Sequence, residues 1–137
     1  ALLRLAADAA GAGRLPHPDA TATAANPACG DRVTMTVRLE NGRLAALAHD
    51  THGCILTQAS AALLGAHAGG LTQTRLAALK SEIAGMLKGG AAPAAPFTGY
   101  EVFDGVTGHA GRHTCVLLPL TALLDALEAA EPGRLGP

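Results

Sequence analysis

The spacing of apolar residues changes period along the chain, and each change predicts an element. Leu2, Leu3, Leu5, Ala6 and Ala9 fall at helical spacing within residues 1–10, and Gly11 and Gly13 end that stretch. Residues 11–28 hold glycines, three prolines, and Thr and Ala, and read as a surface loop. From Arg32 the period becomes two. Val33, Met35, Val37 and Leu39 alternate with Arg32, Thr34, Thr36, Arg38 and Glu40, the pattern of a half-buried strand. Asn41-Gly42 then signals a tight hairpin, with Arg43 to His49 as the returning strand. A third short strand is expected through Thr51 into the region of Cys54.

Helical patterns follow. Ile55 to Ala66 is rich in Ala and Leu and is closed by Gly69-Gly70. Thr72 is placed to cap a helix running to about Lys88, with Leu76, Leu79, Ile83, Met86 and Leu87 on one face. Residues 89–96 form a connector. Phe97 to Val106 is a short helix or turn carrying all three aromatics, which dock it on the core. A last helix is predicted from Thr114 or Cys115 to about Ala130, with Pro119 in its first turn. The expected fold class is α+β: a small three-stranded antiparallel sheet with about five helices packed on it. Residues 1–25 are read as an N-terminal helix and loop, 26–131 as the functional domain, and 132–137 as a tail.

Composition narrows the function. The 137 residues suit one domain. Lys plus Arg number 10 and Asp plus Glu 11, a net charge of −1, which argues against a nucleic-acid or anionic-membrane surface. Aromatics are 2% of the chain, so the core is built from Leu, Ala and Val, and base-stacking platforms are not expected. The longest stretch free of Asp, Glu, Lys and Arg, Thr51 to Thr74, contains two His, two Gln and four Gly and is a poor membrane span. The first residues show no basic region followed by an apolar stretch. The odd count of three cysteines speaks against a closed disulfide framework, and reduced thiols in a cytoplasmic setting are the expectation.

Those cysteines carry the candidate chemistry. No two form a CxxC pair, which disfavours a zinc finger or a dithiol redox protein. Cys29 lies in Asn26-Pro27-Ala28-Cys29-Gly30-Asp31, a short loop opening a strand, with the Asp31 carboxylate two residues from the thiol. Cys54 follows Gly53 and precedes a predicted helix. Cys115 is likewise expected at a helix start. Both thiols would then feel the positive end of a helix dipole, which favours thiolate. Three sulfurs and one oxygen make a tetrahedral set suited to zinc or iron, and the weaker oxygen ligand is the one most readily displaced. Three thiolates and a carboxylate over-neutralise a divalent ion, and Arg112, three before Cys115, is placed to offset the excess. His113 is an alternative fourth ligand in place of Asp31, although a side chain directed elsewhere is the favoured reading there, and His52 is a spare ligand or proton carrier beside the favoured reading of an exposed loop histidine. His17, His49, His67 and His109 are expected at the surface.

The motifs Asn-Pro-x-Cys-Gly-Asp at 26–31, Gly-Cys-x-x-x-x-Ala-Ser at 53–60 and Arg-x-x-Cys-x-x-Leu at 112–118 resemble those of the U-type iron–sulfur cluster assembly proteins (the NifU N-terminal domain, IscU and SufU) over residues 26–130. The resemblance implies a SufE/IscU-like α+β fold. It also implies a metal or nascent-cluster site of Cys29, Asp31, Cys54 and Cys115, with Arg112 compensating charge. Four features look like the SufU branch: the 60 residues between Cys54 and Cys115, Thr114 in place of a His before the third Cys, no Leu-Pro-Pro-Val-Lys segment, and Arg112 itself. Ala62, Gly69-Gly70 and the Thr107–Gly111 segment depart from the family pattern.

The implied function is iron–sulfur cluster assembly. The implied cofactor is zinc, or iron as a [2Fe–2S] cluster, and the implied partners are a cysteine desulfurase and recipient apoproteins. Any of Cys29, Cys54 and Cys115 is open as the sulfur acceptor. Two alternatives stand beside this reading: a zinc-dependent sulfurtransferase that scaffolds no cluster, and a structural zinc domain that only binds partners.

Overall fold

The computed structural model describes residues 2–28 and 30–131. Cys29 and the predicted tail at 132–137 lie outside the described residues. The elements in order are α1 (Leu2–Asp8), β1 (Ala20–Asn26), β2 (Asp31–Glu40), β3 (Arg43–His52), α2 (Ile55–His67), α3 (Gln73–Leu87), a 3₁₀ segment (Phe97–Val106) and α4 (Ala110–Ala130). The sheet is antiparallel with order β1-β2-β3.

The hairpin forms where the sequence places it. Asn41 and Gly42 both take positive φ, 53° and 76°, as a two-residue turn between twisted strands requires. Val33, Met35 and Val37 are fully buried on the inner face of β2. Between Arg38 and Leu39 the register with β3 shifts, an irregularity that lets Leu44 pair with Leu39 at the turn end.

Two expectations are corrected. The third strand is β1, not a segment near Cys54: residues 51–52 simply continue β3. Residues 20–26 (ATATAAN) do alternate, but Ala and Thr give little hydrophobic contrast, and Ala reads as a helix former. Pairing supplies what propensity lacks. Ala24 is buried opposite Val33, and the Thr23 and Thr34 hydroxyls bond at 2.8 Å on the other face. The loop before β1 crosses that outer face, with the Leu15 amide donating to Thr36 Oγ1 and the Leu39 amide to Asp19 Oδ2. Thr34 and Thr36 are buried on the face that alternation alone would leave wet.

The second correction concerns α4, which begins at Ala110 rather than at Thr114 or Cys115. Gly108 and Gly111 obscure the start in sequence, because glycine weakens a helix pattern. Pro119 therefore sits in the helix interior, where it has no N–H to give the carbonyl four residues back, that of Cys115. In the same disturbed turn the Ser60 hydroxyl donates to the Val116 carbonyl at 2.7 Å.

α4 packs on β1 and β2, and α2 and α3 pack on α4. Leu120, Leu123, Ala126 and Leu127 meet Leu76, Leu79 and Ile83 in one apolar core. Each such leucine or isoleucine contributes roughly 1.5–3 kcal/mol on burial. α4 is long and apolar enough to span a membrane, but half of it is buried against these neighbours, as in the core helix of a globular domain. Phe97, Tyr100 and Phe103 of the 3₁₀ segment are fully buried, and the phenol of Tyr100 shares a network with Ser60. Burial there drives the Tyr100 hydroxyl far above its ordinary pKa, although the Ser60 contact opposes the shift.

α1 packs on α2. The chain after it continues along the free edge of β3, where the Gly13 amide donates to the His49 carbonyl and the His49 amide to Gly11. This contact is possible because residue 65 is glycine: a Cβ there would overlap the Ala10 carbonyl oxygen.

Candidate metal centre

Three elements bring their ends to one cleft. Asn26, the last residue of β1, pairs with Asp31, the first of β2, so residues 27–30 close a four-residue hairpin loop. Asn26 Oδ1 accepts from the Ala28 amide at 3.2 Å, and the Gly30 amide donates to the Asn26 carbonyl at 2.8 Å with φ +76° at Gly30. The turn delivers Asp31 to the mouth of the sheet, 4% exposed. β3 ends at His52, Gly53 follows, and Cys54 is the N-cap of α2. Gln58 Nε2 donates to the Gly53 carbonyl at 2.9 Å and fixes that turn.

Gly53 lies directly beneath the carboxylate. A Cβ at this position would stand 2.8 Å from Asp31 Cγ and 2.9 Å from Oδ1. The Gly-Cys pair of the second motif thus has a steric cause: only glycine leaves room for the Asp31 side chain next to Cys54.

Cys54 does not cap its helix through its side chain. Asp31 does so from β2. Its Oδ1 accepts from the Cys54 amide at 3.3 Å, and its Oδ2 accepts from the Thr57 hydroxyl at 2.6 Å. A carboxylate at a helix N-terminus is favoured by the dipole. The Cys54 thiol lies 3.5 Å from both Asp31 Oδ2 and Thr57 Oγ1. Burial pushes the Asp31 carboxyl up, but hydrogen bonds from Thr57, from the Cys54 thiol and amide and from Cys115 outweigh it and hold it below its ordinary value. Asp31 is therefore an anion, held without a cationic side chain.

Cys115 enters from α4, buried at 4% exposure. It stands more than one turn into the helix, so the expected helix-start dipole applies to Cys54 and not to Cys115. One ligand atom each from Asp31, Cys54 and Cys115 lie within 4.8 Å of one another. Tetrahedral ligands about 2.0–2.3 Å from a shared zinc sit roughly 3.3–3.8 Å apart, so small side-chain adjustments close the set. Two thiols and a carboxylate are the donors that zinc or iron takes, so the residues fit such a metal. Cys29, the fourth candidate, lies outside the described residues.

The cleft, about 560 Å³, is lined by Asp31, Cys54, Cys115, His109, Gly111 and Arg112. Arg112 is exposed at its rim, where the sequence places a compensating charge. His109, expected as a plain surface residue, also lines the cleft. His113 is turned away: its Nε2–H is shared between the Val106 and Thr107 carbonyls, at 3.1 Å each. His52 Nε2 lies 3.0 Å from Asp50 Oδ1 and does not line the cleft. His49, also expected at the surface, is buried at 4% exposure. Thr57 carries no signal of its own in the sequence. Its only hint is its position three residues after Cys54, where one helical turn returns a side chain to the N-cap.

Comparison with known proteins agrees with this geometry. Residues 3–115 match the family model of the NifU-like N terminal domain. A nitrogen-fixing NifU-like protein (N-terminal) from Brucella abortus shares 31% identity, with a TM-score of 0.89 over 95% of this chain and 91% of that one. A hypothetical protein of known structure shares 26% identity, TM-score 0.80, over 93% and 96% of the two chains. The candidate iron–sulfur cluster assembly scaffold of the SUF system from thermophilic Fervidobacterium islandicum AW-1 has the same fold, with 22% identity, TM-score 0.78 and coverage of 90% and 93%. Among curated proteins no significant match is found. With its α+β fold and its Asp and Cys ligand atoms gathered at one cleft, the chain belongs to the NifU-like N-terminal domain family, the U-type proteins of iron–sulfur cluster assembly.

Proposed function

We propose that this protein binds a metal through Cys29, Asp31, Cys54 and Cys115 and accepts sulfur from a cysteine desulfurase for cluster assembly. The observation that carries this reading is the gathering of the Asp31, Cys54 and Cys115 ligand atoms within 4.8 Å at an open cleft. A bound divalent ion supplies one thing here: it keeps the cysteines as thiolates at neutral pH. The chain's own residues do the rest. Asp31 is the exchangeable ligand, Arg112 offsets the excess negative charge, and the open rim admits a partner's mobile cysteine. A thiolate of Cys54 or Cys29 attacks the outer sulfur of the partner's persulfide. A new S–S bond forms on this chain, the partner's S–S bond breaks, and the partner's cysteine leaves as thiolate. The sulfur then passes to iron, here as cargo, or to a recipient apoprotein. The setting is cytoplasmic.

Within this reading the SufU-like form, a zinc-holding sulfur acceptor, is favoured by one observation. Residue 114 is Thr, and His113 commits its Nε2–H to the Val106 and Thr107 carbonyls, so neither supplies the imidazole that the IscU pattern places directly before the third Cys, although His109 lines the cleft. The test is metal and acid-labile sulfide per chain, on protein purified anaerobically without added metal, with Asp31→Ala alongside. Near-stoichiometric zinc without sulfide supports the acceptor. Iron with sulfide supports the scaffold. A metal that resists chelators in both proteins points instead to an inert structural zinc domain.

A further inference from the structure

Thr57 has no exposed surface, and its hydroxyl has one proton to give. Two acceptors at the site compete for that proton: Asp31 Oδ2 at 2.6 Å and Cys54 Sγ at 3.5 Å. The distances decide the contest for the carboxylate, since 2.6 Å is the length of a charge-assisted bond. Oδ1 meanwhile accepts from the Cys54 amide. The arrangement is a receiver for a carboxylate that is off the metal. A buried carboxylate released without donors would be left unsatisfied, and such a ligand would leave slowly.

We propose that Thr57 is the positioning residue that makes Asp31 exchangeable, by holding its carboxylate whenever incoming sulfur displaces it from the metal. This rests on the reading of Asp31 as a metal ligand. When a thiolate takes its coordination position, the carboxylate falls back on the Thr57 hydroxyl and the Cys54 amide without crossing the cleft. The step is a ligand exchange with no change of oxidation state: a thiol enters as thiolate and its proton goes to solvent. Gly53 is part of the same device, because the empty space above its Cα is where the carboxylate rests.

The test uses Co(II) alone as the spectroscopic metal and 2-mercaptoethanol as the incoming thiol, with wild type, Thr57→Val, Thr57→Ser and Asp31→Ala. Replacement of an oxygen donor by sulfur shifts the d–d and charge-transfer bands, so the thiol concentration at half replacement can be read directly. Thr57→Val is expected to need about tenfold more thiol than wild type, with Thr57→Ser within about twofold of it. In the Asp31→Ala background, Thr57→Val should change nothing. Thermal unfolding of each apo-protein separates a folding defect from a site effect. Half replacement in Thr57→Val at or below the wild-type concentration overturns the proposal, as does an equal effect in the Asp31→Ala background. A wild type that takes up no Co(II) overturns the metal-site reading itself, and is distinguishable because no variant comparison then arises.

Discussion

Cys54 and Cys115 reach the same cleft from different parts of their helices. Cys54 is the N-cap of α2, half-buried, with the Thr57 hydroxyl and the Asp31 carboxylate at its sulfur. Cys115 is inside α4, buried against the apolar core, and reaches Asp31 from the far side. One sulfur sits half-buried at a polar turn, the other buried on a helix packed on the core. The difference assigns roles: Cys115 anchors, and Cys54 is the thiol an incoming persulfide can approach. It also explains why two ties matter. Gly53 lets Asp31 lie against the Cys54 turn, and Ser60 joins α2 to α4 through the Val116 carbonyl.

The sharpest way to break the comparison is at Gly53. Gly53→Ala puts a methyl where the Asp31 carboxylate lies, and the carboxylate must leave. Zinc affinity, measured by chelator competition, is expected to fall by about 10- to 100-fold, as when the support of a metal ligand is lost. An unchanged affinity would show that Asp31 is not a ligand. Ser60→Ala attacks the tie between the helices instead. It removes the donor to Val116 within the turn that Pro119 disturbs, and takes a partner from the buried Tyr100 hydroxyl. The expected loss is about 1–3 kcal/mol in urea unfolding of the apo-protein, with Tyr100→Phe costing less.

A smaller effect separates the two thiols directly. Mass spectrometry of metal-free protein treated briefly with iodoacetamide should find Cys54 modified about tenfold faster than Cys115, because Cys54 is half-buried at the cleft and Cys115 is buried. Equal rates would remove the basis for assigning the two cysteines different roles.

What the sequence made legible follows the same division between local and distant causes. The Asn41-Gly42 hairpin, α2, α3 with its Thr72 cap accepting from Arg75, and the meeting of Asp31, Cys54 and Cys115 are all readable, because each rests on a local pattern or a motif. β1 is not, because its Ala and Thr acquire strand character only by pairing with β2. The start of α4 is not, because two glycines mask it. The sheet-edge packing that buries His49, and the Thr57 bond to Asp31 across 26 positions, have no local signature at all.

His49 provides the least of these effects and tests the α2 side alone. Its Nε2–H donates to the Ala10 carbonyl and its Nδ1 is hydrogen-bonded to the Thr51 hydroxyl, both at 2.9 Å. Burial lowers its pKa from the ordinary 6.5, against the raising effects of the Ala10 bond and the nearby Asp50 carboxylate. The sign follows. The unfolded chain takes up this proton first, so stability is complete above pH 6.5 and is lost as pH falls toward the lower folded value. Asp50 is itself paired with Arg14 and His52, which limits how far it can favour a charged His49. The Ala10 carbonyl bonded to His49 also lies against Gly65 of α2, the helix on which α1 packs. Hydrogen exchange at pH 5.5 and 7.5 should therefore show α2 losing protection relative to α4 in the same sample. That ratio cancels the intrinsic pH dependence of exchange. His49→Gln, which keeps a donor to Ala10 but cannot titrate, should flatten it. A ratio that stays constant in wild type would mean that the N-terminal segment and the Cys54 helix are not coupled through this histidine.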